Sequence, residues 1–314
     1  MRGPKNRVDV NEPYAWLIEP ERAASGRVED VATIFLTNRE CPFSCVYCDL
    51  WKNTTDQTVP VGAIPRQIDF ALAHLPPARH IKLYNSGNFF DRLAIPPADY
   101  HDIARRVCGF ETVIVENHPR LCDSECRRFH DLLAAAAAER DGSQTGSTQG
   151  PELEIALGLE TVHPAVLPRL NKQMTTDDFQ RACEFLQGQG IALRAFILLK
   201  PPYLGDDDCV EWALKSVEFA YACGVRVCAV IPTRAGNELL LAQQARGEFS
   251  IPRLSALEAV AEQGIRLARG RLFVDVWDVE RLFECPLCGP ARAERLRQMN
   301  LSQQILPAIS CSCA

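Results

Sequence analysis

The chain has 314 residues, of which 47% are hydrophobic and 24% charged, a balance that excludes a disordered or fibrous protein and allows one large barrel-sized core with a small appendage. A net charge of −6 gives no whole-chain electrostatic footprint for nucleic acid. Neither the polar start Met1-Arg2-Gly3-Pro4-Lys5 nor any apolar run reads as a signal peptide or membrane span, so a cytoplasmic location without membrane attachment is expected.

In chain order, β-rich apolar runs recur at Val31–Thr37, His80–Tyr84, Thr112–Glu116, Leu153–Leu159, Leu193–Leu199 and Arg226–Ile231, most of them followed by a segment of helical period. Six alternations predict parallel strands joined by crossover helices, an α/β chain. Thr175-x-x-Asp178 caps a helix whose apolar face carries Phe179, Cys183 and Leu186. Val210, Leu214, Val217 and Tyr221 line another, which Gly224 ends. Ser255-x-x-Glu258 reads as a capping box for a helix ending near Gly270, and Arg271–Trp277 as an added strand outside the six-fold pattern. Glu139–Glu152, rich in glycine and serine, reads as a mobile loop. The domain reading is an N-terminal extension 1–30, a (β/α)6 core 31–235 and a C-terminal extension 236–314.

The unusual residues follow the strands. Cys41, Cys45 and Cys48 come after the first, Asn85-Ser86-Gly87-Asn88 after the second and Glu116-Asn117-His118 after the third. Glu160-Thr161, Lys200-Pro201-Pro202 and Thr233-Arg234 follow the other three. In an α/β barrel the loops after the strands open on one face, so these groups converge there.

Fourteen cysteines without a secretion signal favour metal binding over a disulfide scaffold. Seven (Cys108, Cys122, Cys126, Cys183, Cys209, Cys223, Cys228) are scattered and read as buried inert thiols. The spacing Cys41-x3-Cys45-x2-Cys48 suits three thiolates wrapped around a 4Fe-4S cubane with one iron left open, whereas a closed zinc site needs a fourth donor that Pro42, Phe43, Ser44, Val46 and Tyr47 do not offer. Tyr47 is suited to stacking on a purine.

This motif resembles that of the radical S-adenosylmethionine (SAM) superfamily. The resemblance implies a partial (β/α)6 TIM-like barrel, here with a cysteine-rich C-terminal extension. It also implies SAM on the open iron and reductive cleavage to a 5′-deoxyadenosyl radical, with an electron donor such as flavodoxin or ferredoxin. Asn85, Ser86 and Gly87 stand where the family's glycine-rich loop meets the SAM amino group, with its usual Gly-Gly-Glu replaced. Gly158-Leu159-Glu160-Thr161, followed by Leu170-Asn171-Lys172, resembles the elongator-catalytic-subunit and coproporphyrinogen-dehydrogenase branch and implies a SAM contact from Glu160. Arg194 is expected to pair with the SAM carboxylate; a structural ion pair is the alternative for both. Asn38-Arg39-Glu40-Cys41, Cys48-Asp49-Leu50-Trp51-Lys52-Asn53-Thr54 and Lys82–Asp91 resemble the archaeosine-forming tRNA radical SAM lyases, which implies chemistry on a modified nucleobase, with tRNA as a candidate partner.

The remaining candidates stay open. His118 is a proton donor or a loop fastener, Phe89 and Phe90 wall the site or fill the core, and Asp49, Trp51, Lys52 and Asn53 shape the surroundings of the cluster. Asp206-Asp207-Asp208 reads as a solvated helix start. Cys285, Cys288, Cys311 and Cys313 flank Arg292, Arg295 and Arg297 and are expected to hold zinc or a second iron–sulfur cluster, with a basic knob able to touch phosphate. The rivals to a radical enzyme are an iron–sulfur or zinc redox sensor and, within catalysis, a radical methylthio- or methyl-transferase with a second cluster.

Overall fold

The computed structural model describes residues 3–140 and 150–313. Its strands and helices, in chain order, are β1 (Ala15–Arg22), β2 (Val28–Phe35), α1 (Ala63–His74), β3 (His80–Tyr84), α2 (Tyr100–Val107), β4 (Thr112–Asn117), α3 (Ser124–Arg140), β5 (Glu152–Glu160), α4 (Thr176–Gly188), β6 (Ala192–Leu199), α5 (Cys209–Ala222), β7 (Val227–Pro232), α6 (Glu238–Ala245), α7 (Leu254–Arg266), β8 (Arg271–Val274) and α8 (Gly289–Ser302). The eight strands form one sheet in sequence order, with β1 antiparallel to β2 and every later neighbour parallel. All six expected strands are present. The added strand continues the parallel sheet beside β7 and ends at Val274.

Alternation along the strands separates two environments. Ile34, Ile81, Leu83, Val113, Val115, Ile155, Leu157, Leu193, Ala195 and Ile197 are buried in the apolar core that the helices cover. Their neighbours face the lumen, which at its lower end is charged: Arg194 donates to Glu154 at 2.6 Å and to Glu21 at 2.6 Å, and Lys82 to Glu21 at 2.5 Å. This explains why β1 is not apparent in the sequence. Its inward positions include Glu19 and Glu21 rather than apolar residues, and Pro20, which lacks an amide donor, is tolerated on an edge strand.

The other edge is covered by side chains. The Asn300 amide of α8 bonds the backbone N–H and C=O of Val274, and the amide of Gln303, the helix C-cap, those of Leu272. Two carboxamides thus stand in for a missing strand and satisfy an edge that would otherwise template aggregation. Helix α8 also packs on β1, and Arg271 donates to the Arg22 carbonyl at 2.7 Å, so it spans the seam between the sheet's two ends.

Local signals hold in part. The Thr175–Asp178 capping box forms, and Gly224 follows α5 with φ of +81°. The Ser255–Glu258 box does not form: the Ser255 amide and hydroxyl bond Glu284, Glu258 accepts from Arg292 and Arg295, and the helix ends at Arg266. Tertiary partners outcompete the local cap. Phe89 and Phe90 are both core, packed with Tyr100 and Phe129. The expected Glu139–Glu152 loop falls mostly at 141–149, outside the described residues. Among the described residues no helix is long and apolar enough to cross a membrane.

Candidate SAM and iron–sulfur site

The segment carrying Cys41, Cys45 and Cys48 is a closed loop. Arg39 and Thr55 bridge its base, with Glu40 N–H donating to Thr55 O and Thr55 N–H to Asn38 O. Neighbouring strand ends hold its tip: Val46 N–H donates to Leu170 O, the Asn171 amide to Ser44 O, and the Asn237 amide to both Val46 O and Cys48 O. Lys52 donates to Gly236 O, and the Asn6 amide to Asn53 Oδ1. The loops after β2, β5 and β7 therefore fix the three thiols jointly, which no local propensity would do.

Burial raises the pKa of all three thiols, that of Cys48 to about 12, and at Cys41 and Cys48 repulsion from the neighbouring cysteines works in the same direction. Three thiolates on one such loop are stable only against a positive centre. The Asn88 amide donates to Cys41 Sγ at 3.2 Å, and Gly87 lies so near that an added Cβ would be 3.4 Å from the Cys41 Cβ. The loop after β3 is thus seated on the first cysteine.

Glu116, at the end of β4, holds that loop. Its Oε1 accepts from Asn85 N–H at 2.6 Å and Gly87 N–H at 3.3 Å, while enclosure raises its pKa to about 7. The Asn85 and Gly87 amides are therefore engaged within the protein. The Asn85 side chain differs: it is fully buried, and neither its nitrogen nor its oxygen has a hydrogen-bond partner among the described residues. The hydroxyls of Thr37 and Thr233 and the side-chain oxygen of Asn38 share this condition just past the ends of β2 and β7. An unpaired buried polar group costs about 1–3 kcal/mol, and several gather at this face. Ser86 in turn shares a 2.7 Å hydrogen bond with the Tyr14 hydroxyl, just ahead of β1.

After β5, Glu160 accepts from Lys172 at 2.7 Å, both groups being buried, and the Tyr47 hydroxyl lies 3.5 Å from the same Lys172 nitrogen. Gly158 makes this possible, since a Cβ there would collide with both partners. Ser86, Glu160 and Lys200, which follow or close three strands on this face, have positive φ values of 53°, 64° and 55°. Backbone strain of this kind gathers at functional sites.

One expectation changes, and one open reading closes. Arg194 is not part of this group: it lies five residues before the end of β6, about 16 Å down the strand, committed to Glu21 and Glu154. Its alternative reading as an ion-paired residue is what the structure shows, with those partners rather than Glu160. His118 fastens the loop. Its Nδ1 accepts from Arg120 N–H, Nε2 donates to Lys172 O, and its ring stacks on Phe43 at 3.8 Å. Burial and Lys172 push its pKa down to about 3. Of the acidic run, Asp206 pairs with Lys200 at 2.6 Å.

Cys285, Cys288, Cys311 and Cys313 do come together, with all four sulfur atoms within 4.8 Å of one another. The basic knob does not form, because the partly buried Arg292 and the buried Arg295 are held in ion pairs with Glu258, Glu262 and Glu284, and Arg297 pairs with Glu294.

Sequence reasoning missed Tyr14 and Asn237 as participants, and it placed Glu116 on this face and Lys172 in a recognised motif without giving either a role. Only Glu116 and Lys172 carried a signal, as charged residues at the end of a strand and within a recognised motif.

No family model matches the chain. It is 20% identical over 332 residues to an uncharacterized protein of Methanocaldococcus jannaschii, covering 97% of this chain and 86% of that one. It is 27% identical over 141 residues to the archaeosine synthase subunit beta of Thermococcus kodakarensis (44% of this chain, 39% of that one) and 22% over 248 residues to that of Methanosarcina acetivorans (74% and 66%). The chain thus spans less than two thirds of either archaeosine synthase subunit. Among solved structures, the Elp3 of Methanocaldococcus infernus superposes with a TM-score of 0.53 at 13% identity, over 86% of this chain and 63% of that one. A radical SAM methyltransferase from Sphaerobacter thermophilus gives 0.50 at 13%, over 84% and 76%. The chain therefore has the partial barrel of the radical SAM fold in a form similar to Elp3, together with sequence similarity to archaeosine synthase β subunits.

Proposed function

We propose that the protein is a radical SAM enzyme that cleaves SAM reductively to begin radical chemistry on a modified nucleobase or a macromolecule bearing one. The observation that carries this reading is the three-cysteine loop set against a strained face of unpartnered buried polar groups. Cys41, Cys45 and Cys48 hold a 4Fe-4S cluster. When bound, the cluster supplies the electron for SAM cleavage.

The chain's own work is positional. The Asn85 carboxamide offers a donor and an acceptor, Glu116 keeps the backbone beneath it rigid, and Asn88 steadies the Cys41 sulfur. Glu160, locked by Lys172, presents a carboxylate in one orientation, and Tyr47 is fixed beside it. The substrate class rests on the similarity to archaeosine synthase β subunits, and tRNA is the macromolecule proposed. Reduced flavodoxin or ferredoxin is the proposed electron source.

After anaerobic reconstitution with iron and sulfide, SAM and dithionite should yield 5′-deoxyadenosine, and Cys45→Ala should abolish it. Failure to form it with an intact cluster would refute the enzyme reading and leave a redox sensor. Stimulation by tRNA carrying a modified 7-deazaguanine, over unmodified tRNA, tests the substrate class.

A further inference from the structure

We propose that Cys285, Cys288, Cys311 and Cys313 form a mononuclear zinc site that latches α8 across the seam of the barrel. The size of the sulfur cage argues for a single ion. Zinc–sulfur bonds of about 2.3 Å in a tetrahedron place the sulfur atoms about 3.8 Å apart. Here all four lie within 4.8 Å of one another, and Cys288 Sγ and Cys313 Sγ are 3.7 Å apart. A cubane sets each thiolate on a different iron and pointing outward, which requires a wider cage. Among the described residues Cys41, Cys45 and Cys48 make no group as tight as the tail cysteines, a contrast that matches the two roles. Four thiolates also leave no open position, as a structural site requires.

The surroundings offset the charge. Cys288 is the N-cap of α8, whose N-terminal dipole favours negative charge, and Arg292 stands one turn further along the same helix. Arg292 is itself held by Glu258 of α7.

What the site joins gives it a purpose. Cys285 and Cys288 precede α8; Cys311 and Cys313 follow it on a segment that doubles back, secured where Arg295 donates to Leu306 O at 2.6 Å. The ion thus clamps both flanks of the helix whose Asn300 and Gln303 cover the β8 edge and whose side packs on β1.

The test uses the full-length chain with Cys41→Ala, Cys45→Ala and Cys48→Ala, so that the result is independent of the radical SAM reading. Elemental analysis should find one zinc per chain with neither iron nor acid-labile sulfide. Adding Cys285→Ser and Cys288→Ser should remove the zinc and speed amide exchange at Leu272 and Val274 at least tenfold. Should that variant not fold, cobalt incorporated during expression should give the visible bands of tetrahedral sulfur ligation in the parent. Iron with sulfide would establish a second cluster instead, iron without sulfide or no metal would refute zinc, and zinc loss with unchanged exchange would refute the latch.

Discussion

At Glu116 two influences on a carboxylate oppose each other. Backbone amides from Asn85 and Gly87 favour the ionised form, while enclosure disfavours it more strongly, and the balance sits at a pKa of about 7. Between the ordinary carboxylate value and pH 7 the folded state therefore holds more protons than the unfolded one, and this group's contribution to stability falls as pH rises. His118 acts the other way: depressed to about 3, it binds fewer protons folded than unfolded, so its contribution grows with pH up to its ordinary value near 6.5. The two slopes oppose each other between about pH 4.5 and 6.5. Glu116→Gln, which keeps an acceptor for the loop amides, should expose the His118 slope. Urea unfolding across that range should show stability climbing with pH in the variant more steeply than in the parent, and parallel profiles would contradict the assignment.

Among the elements, the least conventional is the edge of β8. Strand edges are usually guarded by charge, proline or a bulge, whereas here the side-chain amides of Asn300 in α8 and of Gln303, its C-cap, take up the backbone groups of Val274 and Leu272. Each amide replaces two ladder hydrogen bonds, at roughly 0.5–1.5 kcal/mol per bond. Asn300→Ala and Gln303→Ala should each lower stability by about 1–3 kcal/mol and together should promote self-association. Denaturant melts and light scattering measure the two effects, and a stable, monodisperse double variant would show that the edge needs no cover. None of this is legible in the sequence, where Asn300 and Gln303 read as ordinary polar helix residues.

For the whole molecule, the barrel has a charged lower lumen and a polar upper face, and Arg194 shows how the two are kept apart. Replacing it with Met leaves Glu21 and Glu154 buried without their main partner, a loss of about 3–5 kcal/mol by analogy with other broken buried pairs. If the site is at the upper face, Arg194→Met should weaken the fold while SAM affinity, measured by calorimetry on folded protein, stays within about threefold. Abolished binding in a folded variant would return Arg194 to the site.

The sequence by itself determined the parallel strands, since buried strands need continuous apolar runs, and the cysteine loop, since three ligands on one short segment are encoded by spacing alone. It also placed Asn85, Glu116 and Glu160 at strand ends, because strand order maps directly onto one face of a barrel. Tertiary structure decided the rest. Which way Arg194 turns, what Glu116 holds, that β1 joins the sheet and that two distant cysteine pairs close one small cage all depend on partners up to 173 residues away. Pairings at that separation are set by packing and charge compensation inside the folded barrel, and local propensity carries no record of them.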